Sequence, residues 1–273
     1  MRLKLHLRNV SGSGKIPVNY HYPLSAAIYA ILSDSSPEYA TFLHDQGYLG
    51  ADGKPRKLFT FSHLFFSPKA IPDHFSLKID RHSTTSLIIA SPMLGDFVQH
   101  FVVGLFSRQR ITIGNGLHQA TFAIEQVEAL AEPAFTSPMR FKALSPIVLT
   151  TAIDTEQGKK TYYYRPFDEG LAEAVRLSLV KKFETVYGRK PEDDSLDFQL
   201  DQEYIRRKGG AEGVSKLIHI REGQPDETRV KGFLAPFTLS GSVELMRAGW
   251  ECGIGDKCSM GFGCVEVVGG NDR

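Results

Sequence analysis

The sequence predicts an α+β protein of two tandem ferredoxin-like domains, each with helices on one face of an antiparallel sheet. Two observations predict it. Both halves of the chain run through strand, helix and hairpin signals in similar proportions. Between them, residues 131–140 (AEPAFTSPMR) carry two prolines among small polar residues, the composition of a junction. The expected domains are residues 1–135 and 136–273.

In the first half, Leu3, Leu5 and Leu7 alternate with Arg2, Lys4, His6 and Arg8, a strand with one apolar and one basic face. Gly12 and Gly14 end it. Residues 24–32 (LSAAIYAIL) form a helix, since alanine favours it and Leu24, Ile28 and Ile31 share a stripe. Tyr29 lies within it. Ser36 and Pro37 open a second helix as cap and first-turn residue. It runs to Gly47 and places His44 in its last turn. Strand-like runs follow at 58–66 and 75–91. A helix at 94–107 repeats Phe97, Phe101 and Leu105 at four-residue spacing. Strands at 110–113 and 117–127 flank Gly114-Asn115-Gly116, a hairpin signal.

In the second half, residues 143–153 read as a strand that pairs with 162–164. The helix at 168–186 has the stripe Leu171, Val175, Leu179, Phe183 and Val186, with Asp168 and Glu169 at its start and Lys181 and Lys182 nearer its end, as the helix dipole prefers. Glu192, Asp193, Asp194, Asp197 and Asp201 read as a solvent-facing acidic stretch. Strands are expected at 214–220 and 229–240, a short helix at 242–249 and a last strand at 262–268.

Composition bounds the function. The chain has 273 residues, 42% hydrophobic and 23% charged, values of a folded protein. The net charge of +1 excludes a polybasic protein but not a local basic groove. No apolar run reaches the roughly 18–20 residues of a membrane span. The start alternates basic and apolar residues, unlike a signal peptide. The expected location is the cytoplasm, with no membrane partner. Cys252, Cys258 and Cys264 recur every six residues, a spacing foreign to zinc or iron–sulfur sites. They are expected to be free thiols, and no metal or cofactor is expected. GxxxxGK[ST], HExxH and GxSxG motifs are all absent from the sequence.

Two segments could carry chemistry. In GWECGIGDKCSMGFG, Gly249 to Gly263, five glycines let the backbone turn tightly, and Lys257 and Ser259 add donors. Its amides could hold a phosphate, or the loop could serve packing alone. The second segment joins Tyr29, His44 and the basic loop Lys54, Arg56, Lys57. Tyrosine, histidine and lysine suit RNA cleavage without metal. The 2′-hydroxyl must lose a proton, the 5′-oxygen must gain one, and the phosphorane needs positive charge. A packing tyrosine and a helix-end histidine are the plain alternatives, and His21, His63 and His82 compete with His44. Tyr162, Tyr163 and Tyr164, beside Arg165, could stack bases; the plain alternative is a sheet strand with Tyr163 facing one way and its neighbours the other.

Four stretches resemble, in order, those of the CRISPR repeat-processing endoribonucleases of the repeat-associated mysterious protein superfamily. They are IPVNY leading into LSAAIYAIL, ATFLHDQGY followed by KLFTFS, SPMRFKALSPIVL, and GIGDKCSMGFG. The resemblance implies two RRM-like domains that bind CRISPR repeat RNA and cut the precursor transcript once per repeat. The cut is metal-independent and leaves a 2′,3′-cyclic phosphate and a 5′-hydroxyl. It implies Tyr29, His44 and Lys57 as catalytic residues. The expected RNA contacts are Arg2, Lys4, Lys54, Arg56, Arg140 and Lys142, with Gly253, Gly255, Lys257, Ser259, Gly261 and Gly263 of the glycine loop. Two features depart from the pattern. The loop DQGYLGADGKPR is inserted between His44 and Lys57, so Lys54 or Arg56 could supply charge at the phosphate. Cys258 stands where asparagine is more usual. The alternative is a non-catalytic RNA-binding member of the superfamily, acting with protein partners in a guide-RNA effector complex.

Overall fold

Alternating leucines bury one side of the first strand, β1 (Arg2–Asn9), in a core shared with Leu24, Ile28 and Ile31 of helix α1 (His21–Ser35). The structure, a computed structural model, describes residues 1–12, 14–156 and 158–269. Between these elements lies β2 (Gly14–Pro17). After them come α2 (Pro37–Thr41), β3 (Tyr48–Leu49), β4 (Pro55–Arg56), β5 (Thr60–Phe61) and β6 (Phe65–Ser67). The half continues with β7 (Ile71–Asp73), β8 (Ser76–Ile79), β9 (Thr84–Ala90), α3 (Gln99–Arg108), β10 (Arg110–Gly114) and β11 (Gln119–Leu130). The main sheet has the order β10-β11-β1-β9-β5, with β6 also on β9, and every pair is antiparallel. Strands β2, β8 and β7 form a small separate sheet, and β3 pairs with β4.

The second half comprises β12 (Met139–Ala143), β13 (Thr150–Thr155), β14 (Gly158–Tyr163), α4 (Leu171–Tyr187) and β15 (Leu196–Leu200). Then follow α5 (Gln202–Arg207), α6 (Ala211–Val214), β16 (Ser215–Ile220), β17 (Thr228–Phe233), β18 (Phe237–Gly241), α7 (Val243–Cys252) and β19 (Val265–Val267). Its sheet has the order β15-β18-β12-β19, again antiparallel. Helices α4 and α7 supply Val175, Leu179, Leu245 and Met246 to its core. In both halves the first strand (β1, β12) lies between the last (β11, β19) and an inner strand (β9, β18) that also pairs with the second sheet strand (β5, β15). Two ferredoxin-like units in tandem are therefore present, as the sequence predicts.

Three expectations need correction. The run 143–153 is not one strand: Ser145-Pro146 breaks it, the sheet strand is β12, and 150–155 belongs to the separate hairpin β13–β14. The acidic stretch hides a strand, because Leu196 and Phe198 of β15 are buried while Asp197 between them is exposed. The run 229–240 is divided before Phe237, where Pro236 separates β17 from β18. Tyr163 packs near Val148, Val230 and Phe262, whereas the Tyr162 hydroxyl, on the other face, donates to Asp168 at 2.7 Å. Cys252, Cys258 and Cys264 are free, buried thiols. Among the described residues no helix is long and apolar enough to cross a membrane.

Candidate active site

The helix that carries His44 begins where Ser36 accepts the Tyr39 amide at 3.1 Å, with Pro37 in its first turn. It ends differently from an ordinary α-helix. After Thr41 the chain widens into a π-helical turn, Phe42–Gln46, closed by Gly47 at φ 68, whose amide donates to the Phe42 carbonyl at 2.8 Å. Leu43 is buried, and this turns His44 outward. The His44 ring meets the ring of Tyr29 edge-on at 5.3 Å, and Tyr29 in turn packs edge-on against Phe59 at 5.9 Å. The Lys57 ammonium donates to the His44 carbonyl. The three predicted residues thus converge.

Their electrostatics differ. Burial, then Tyr39, pushes the Tyr29 phenol above its ordinary value, so it stays protonated at neutral pH. Burial pushes the Lys57 ammonium below the ordinary lysine value, partly opposed by Asp45. His44 remains 69% exposed at its side chain, open to a substrate. The competing histidines are placed otherwise. His21 is sealed between Tyr20 and Phe262, and burial, then His63, pushes it down to about 4. His63 is half-buried, and burial pushes it down. His82 accepts from Arg81 at 2.8 Å.

Lys57 also lines a cleft of about 680 Å³ between the two domains. Its walls include Lys54, Arg56 and Lys57 from the first domain, Lys181 and Lys182 from α4, and Lys257 and Ser259 from the glycine loop. Against these six cations stand three acids: Asp52 paired with Arg56, Glu173 paired with Arg176, and Asp256, whose carboxylate accepts from Thr150. The cleft is therefore cationic.

Other predicted contacts lie elsewhere. Arg2 is buried at 1% exposure; its guanidinium donates to the Val265 carbonyl at 2.7 Å and to the Trp250 carbonyl, and lies 4.1 Å from the Trp250 ring. It fastens the two domains and cannot meet RNA. Lys4 lies outside the cleft lining, and on the same strand His6 and Arg8 pair with Glu128 and Glu125, so acidic neighbours offset much of its basic face. Arg140 pairs with Asp201 at 2.6 Å and Lys142 with Glu266 at 3.0 Å, both away from the cleft lining. Gly253, Gly255, Gly261 and Gly263 are buried. A Cβ at Gly261 would come within 2.9 Å of the Phe61 ring, and one at Gly253 within 2.9 Å of Thr60. These glycines permit close packing between domains, which leaves Lys257 as the loop's exposed cation.

Residues 15–128 match the family model described as CRISPR-associated protein Cas6, N-terminal, and residues 130–267 match CRISPR associated protein Cas6, C-terminal. The chain belongs to the Cas6 family. A relative named CRISPR-associated endoribonuclease Cas6 1, from Methanocaldococcus jannaschii, is 30% identical over 98% of this chain and 93% of its own length. The CRISPR-associated endoribonuclease Cas6 of Pyrococcus furiosus is 26% identical over 93% of this chain and 84% of its own length. A solved structure titled CRISPR associated protein Cas6 superposes with a TM-score of 0.74 at 30% identity, covering 98% of this chain and 99% of that one.

Within this Cas6 chain, three site features escaped the sequence reading. The Asp45 carboxylate accepts from His44 Nδ1 at 2.7 Å, which leaves Nε2 of the exposed ring to meet a substrate. Nothing but adjacency signalled it. Lys181 and Lys182 read as charges suited to a helix end, yet both line the cleft. Lys182 is buried and donates to the carbonyls of Gly253 at 2.6 Å and Gly255 at 2.7 Å, fixing the glycine loop on α4.

Proposed function

We propose that this chain is a metal-independent endoribonuclease that binds CRISPR repeat RNA and cuts the precursor transcript into guide RNAs. The observation that carries the reading is the convergence of Tyr29, His44 and Lys57 beside a cationic cleft. The endoribonuclease names of the two relatives support it. The 2′-oxygen attacks phosphorus and the bond to the 5′-oxygen breaks, leaving a 2′,3′-cyclic phosphate and a 5′-hydroxyl. His44 moves the proton, to the 5′-oxygen or from the 2′-hydroxyl. Lys57 offsets charge on the phosphorane. Tyr29, held protonated by burial, donates a hydrogen bond that orients the reacting group.

The test is incubation of the purified chain with labelled repeat RNA in chelator, with mass analysis of the ends. Cyclic phosphate and 5′-hydroxyl ends support the reading. Tight binding without a cut points to the non-catalytic alternative. RNA affinity is expected to fall steeply with salt, by about 0.7 log units per log unit of salt for each phosphate neutralised on a single strand. Lys54→Ala and Lys257→Ala should each reduce that slope by roughly one contact. An affinity flat in salt would remove the cleft from the reading. The rate should also decline on the alkaline side. Lys57 is charged only below its pKa, and burial lowers that pKa, so its charge is lost at lower pH than for an exposed lysine. A rate constant through the ordinary lysine range would detach Lys57 from the chemistry.

A further inference from the structure

We infer that Arg56 is a positioning residue rather than a phosphate ligand: with Asp52 and Thr185 it clamps the loop that precedes Lys57 onto helix α4 of the second domain. This rests on the reading of Lys57 given above. The Arg56 guanidinium is largely occupied. Nη1 and Nη2 donate to Asp52 Oδ1 at 2.8 Å and Oδ2 at 2.7 Å, a two-point fork. Nη1 also donates to the Lys54 carbonyl at 3.2 Å and to Thr185 Oγ1 at 3.3 Å. Thr185 can accept because its own hydroxyl proton goes to the Lys181 carbonyl at 2.7 Å. A phosphate would have to displace a carboxylate to reach this arginine.

The loop is shaped around the clamp. Strands β3 and β4 pair Tyr48 with Arg56 and Leu49 with Pro55, and the Gly50 amide donates to the Lys54 carbonyl at 3.0 Å. Gly50 lies against the guanidinium: a Cβ there would collide with Arg56 Nη1 and come within 2.9 Å of both Asp52 Oδ1 and Thr185 Oγ1. Lys57 follows Arg56 directly and reaches back to the His44 carbonyl. The inserted segment between His44 and Lys57 is thus a strap from one domain to the other. Release of Arg56 would let Lys57 drift, and a displacement of about 1 Å can cost about 100-fold in rate.

The test compares Arg56→Ala, Gly50→Ala and the double variant in the full chain. Four quantities are measured: cleavage rate in chelator at saturating RNA, affinity for a 2′-deoxy repeat RNA, the salt slope of that affinity, and amide exchange over residues 50–57. Expected is a rate at saturation lowered about 10- to 100-fold in each single variant, with affinity and salt slope unchanged in Gly50→Ala, which keeps every charge of the cleft. The double variant should be no slower than Arg56→Ala alone, because both changes remove one clamp. Exchange over 50–57 should rise. Thr185→Val, which removes only the bond across the domains, should show the same pattern more weakly. Arg56→Ala that weakens binding, flattens the salt slope by about one phosphate and keeps its rate at saturation would make Arg56 a phosphate ligand and overturn the proposal. Unchanged rate and unchanged exchange would overturn it too. If the wild-type chain does not cut RNA while exchange over 50–57 still rises in Arg56→Ala, the clamp stands and the nuclease reading fails.

Discussion

His44→Ala is expected to lower cleavage of repeat RNA in chelator by about 100-fold or more, with repeat binding nearly intact. The size is that of lost proton transfer to or from a reacting oxygen. The geometry supplies the reason for separating rate from binding. His44 stands outside the cleft lining, so its removal takes no cation from the RNA path. Its Nδ1 is engaged by Asp45 and its ring edge by Tyr29, an arrangement that orients Nε2 without burying it. Asp45→Asn keeps the shape and should cost much less, because a surface pair of this kind contributes little. An RNA with a single 2′-deoxy at the cut site should bind and stay whole. Normal cleavage by His44→Ala would move the search to His63. His21 is already unsuited, being sealed between two rings with no partner on either nitrogen among the described residues.

The signals legible in the sequence were local and periodic. Leu3, Leu5 and Leu7 announced β1 because a strand alternates its faces, and the stripe Leu171, Val175, Leu179, Phe183 announced α4. Strand β15 was obscured because charge outvoted pattern: the acids around it masked the alternation of Leu196, Phe198 and Leu200. The same limit governed the site. Tyr29, His44 and Lys57 lie on consecutive elements of one domain, so a reading along the chain could collect them. What partners each cation is set by tertiary contact. Arg2 looked like one more basic residue of β1, and only the fold brings Trp250 over it. Lys182 looked like a helix-end charge, and only the fold brings the carbonyls of Gly253 and Gly255 to it. Of the basic residues expected at RNA, Arg2, Arg140 and Lys142 on sheet strands found acidic or backbone partners, whereas Lys54, Lys57 and Lys257 on loops face the cleft.

Gly263→Val is expected to lower the melting temperature by several degrees and to lose RNA binding only in proportion to folded protein. Were Gly263 the RNA contact that the resemblance implies, bulk there would harm binding before stability. Two facts decide the matter. Gly263 sits at φ 69, where a side chain is strained, at a cost of about 1–3 kcal/mol. A Cβ there would also run into the Ile254 carbonyl, and backbone cannot turn aside as a side chain can. Overpacking of this kind adds typically 1–3 kcal/mol. At roughly 2–4 °C per kcal/mol for a protein approaching this size, the shift is large. The neighbouring chain amplifies it, since the Gly263 amide donates to the Pro146 carbonyl at 2.8 Å and its carbonyl accepts from Ile254 at 2.8 Å. The matched control is Lys257→Ala. Its side chain is exposed in the cleft wall, so affinity should fall while the melting temperature holds. If Gly263→Val melts like the wild type yet fails to bind RNA, the glycines meet the ligand directly and the packing account of the loop is wrong.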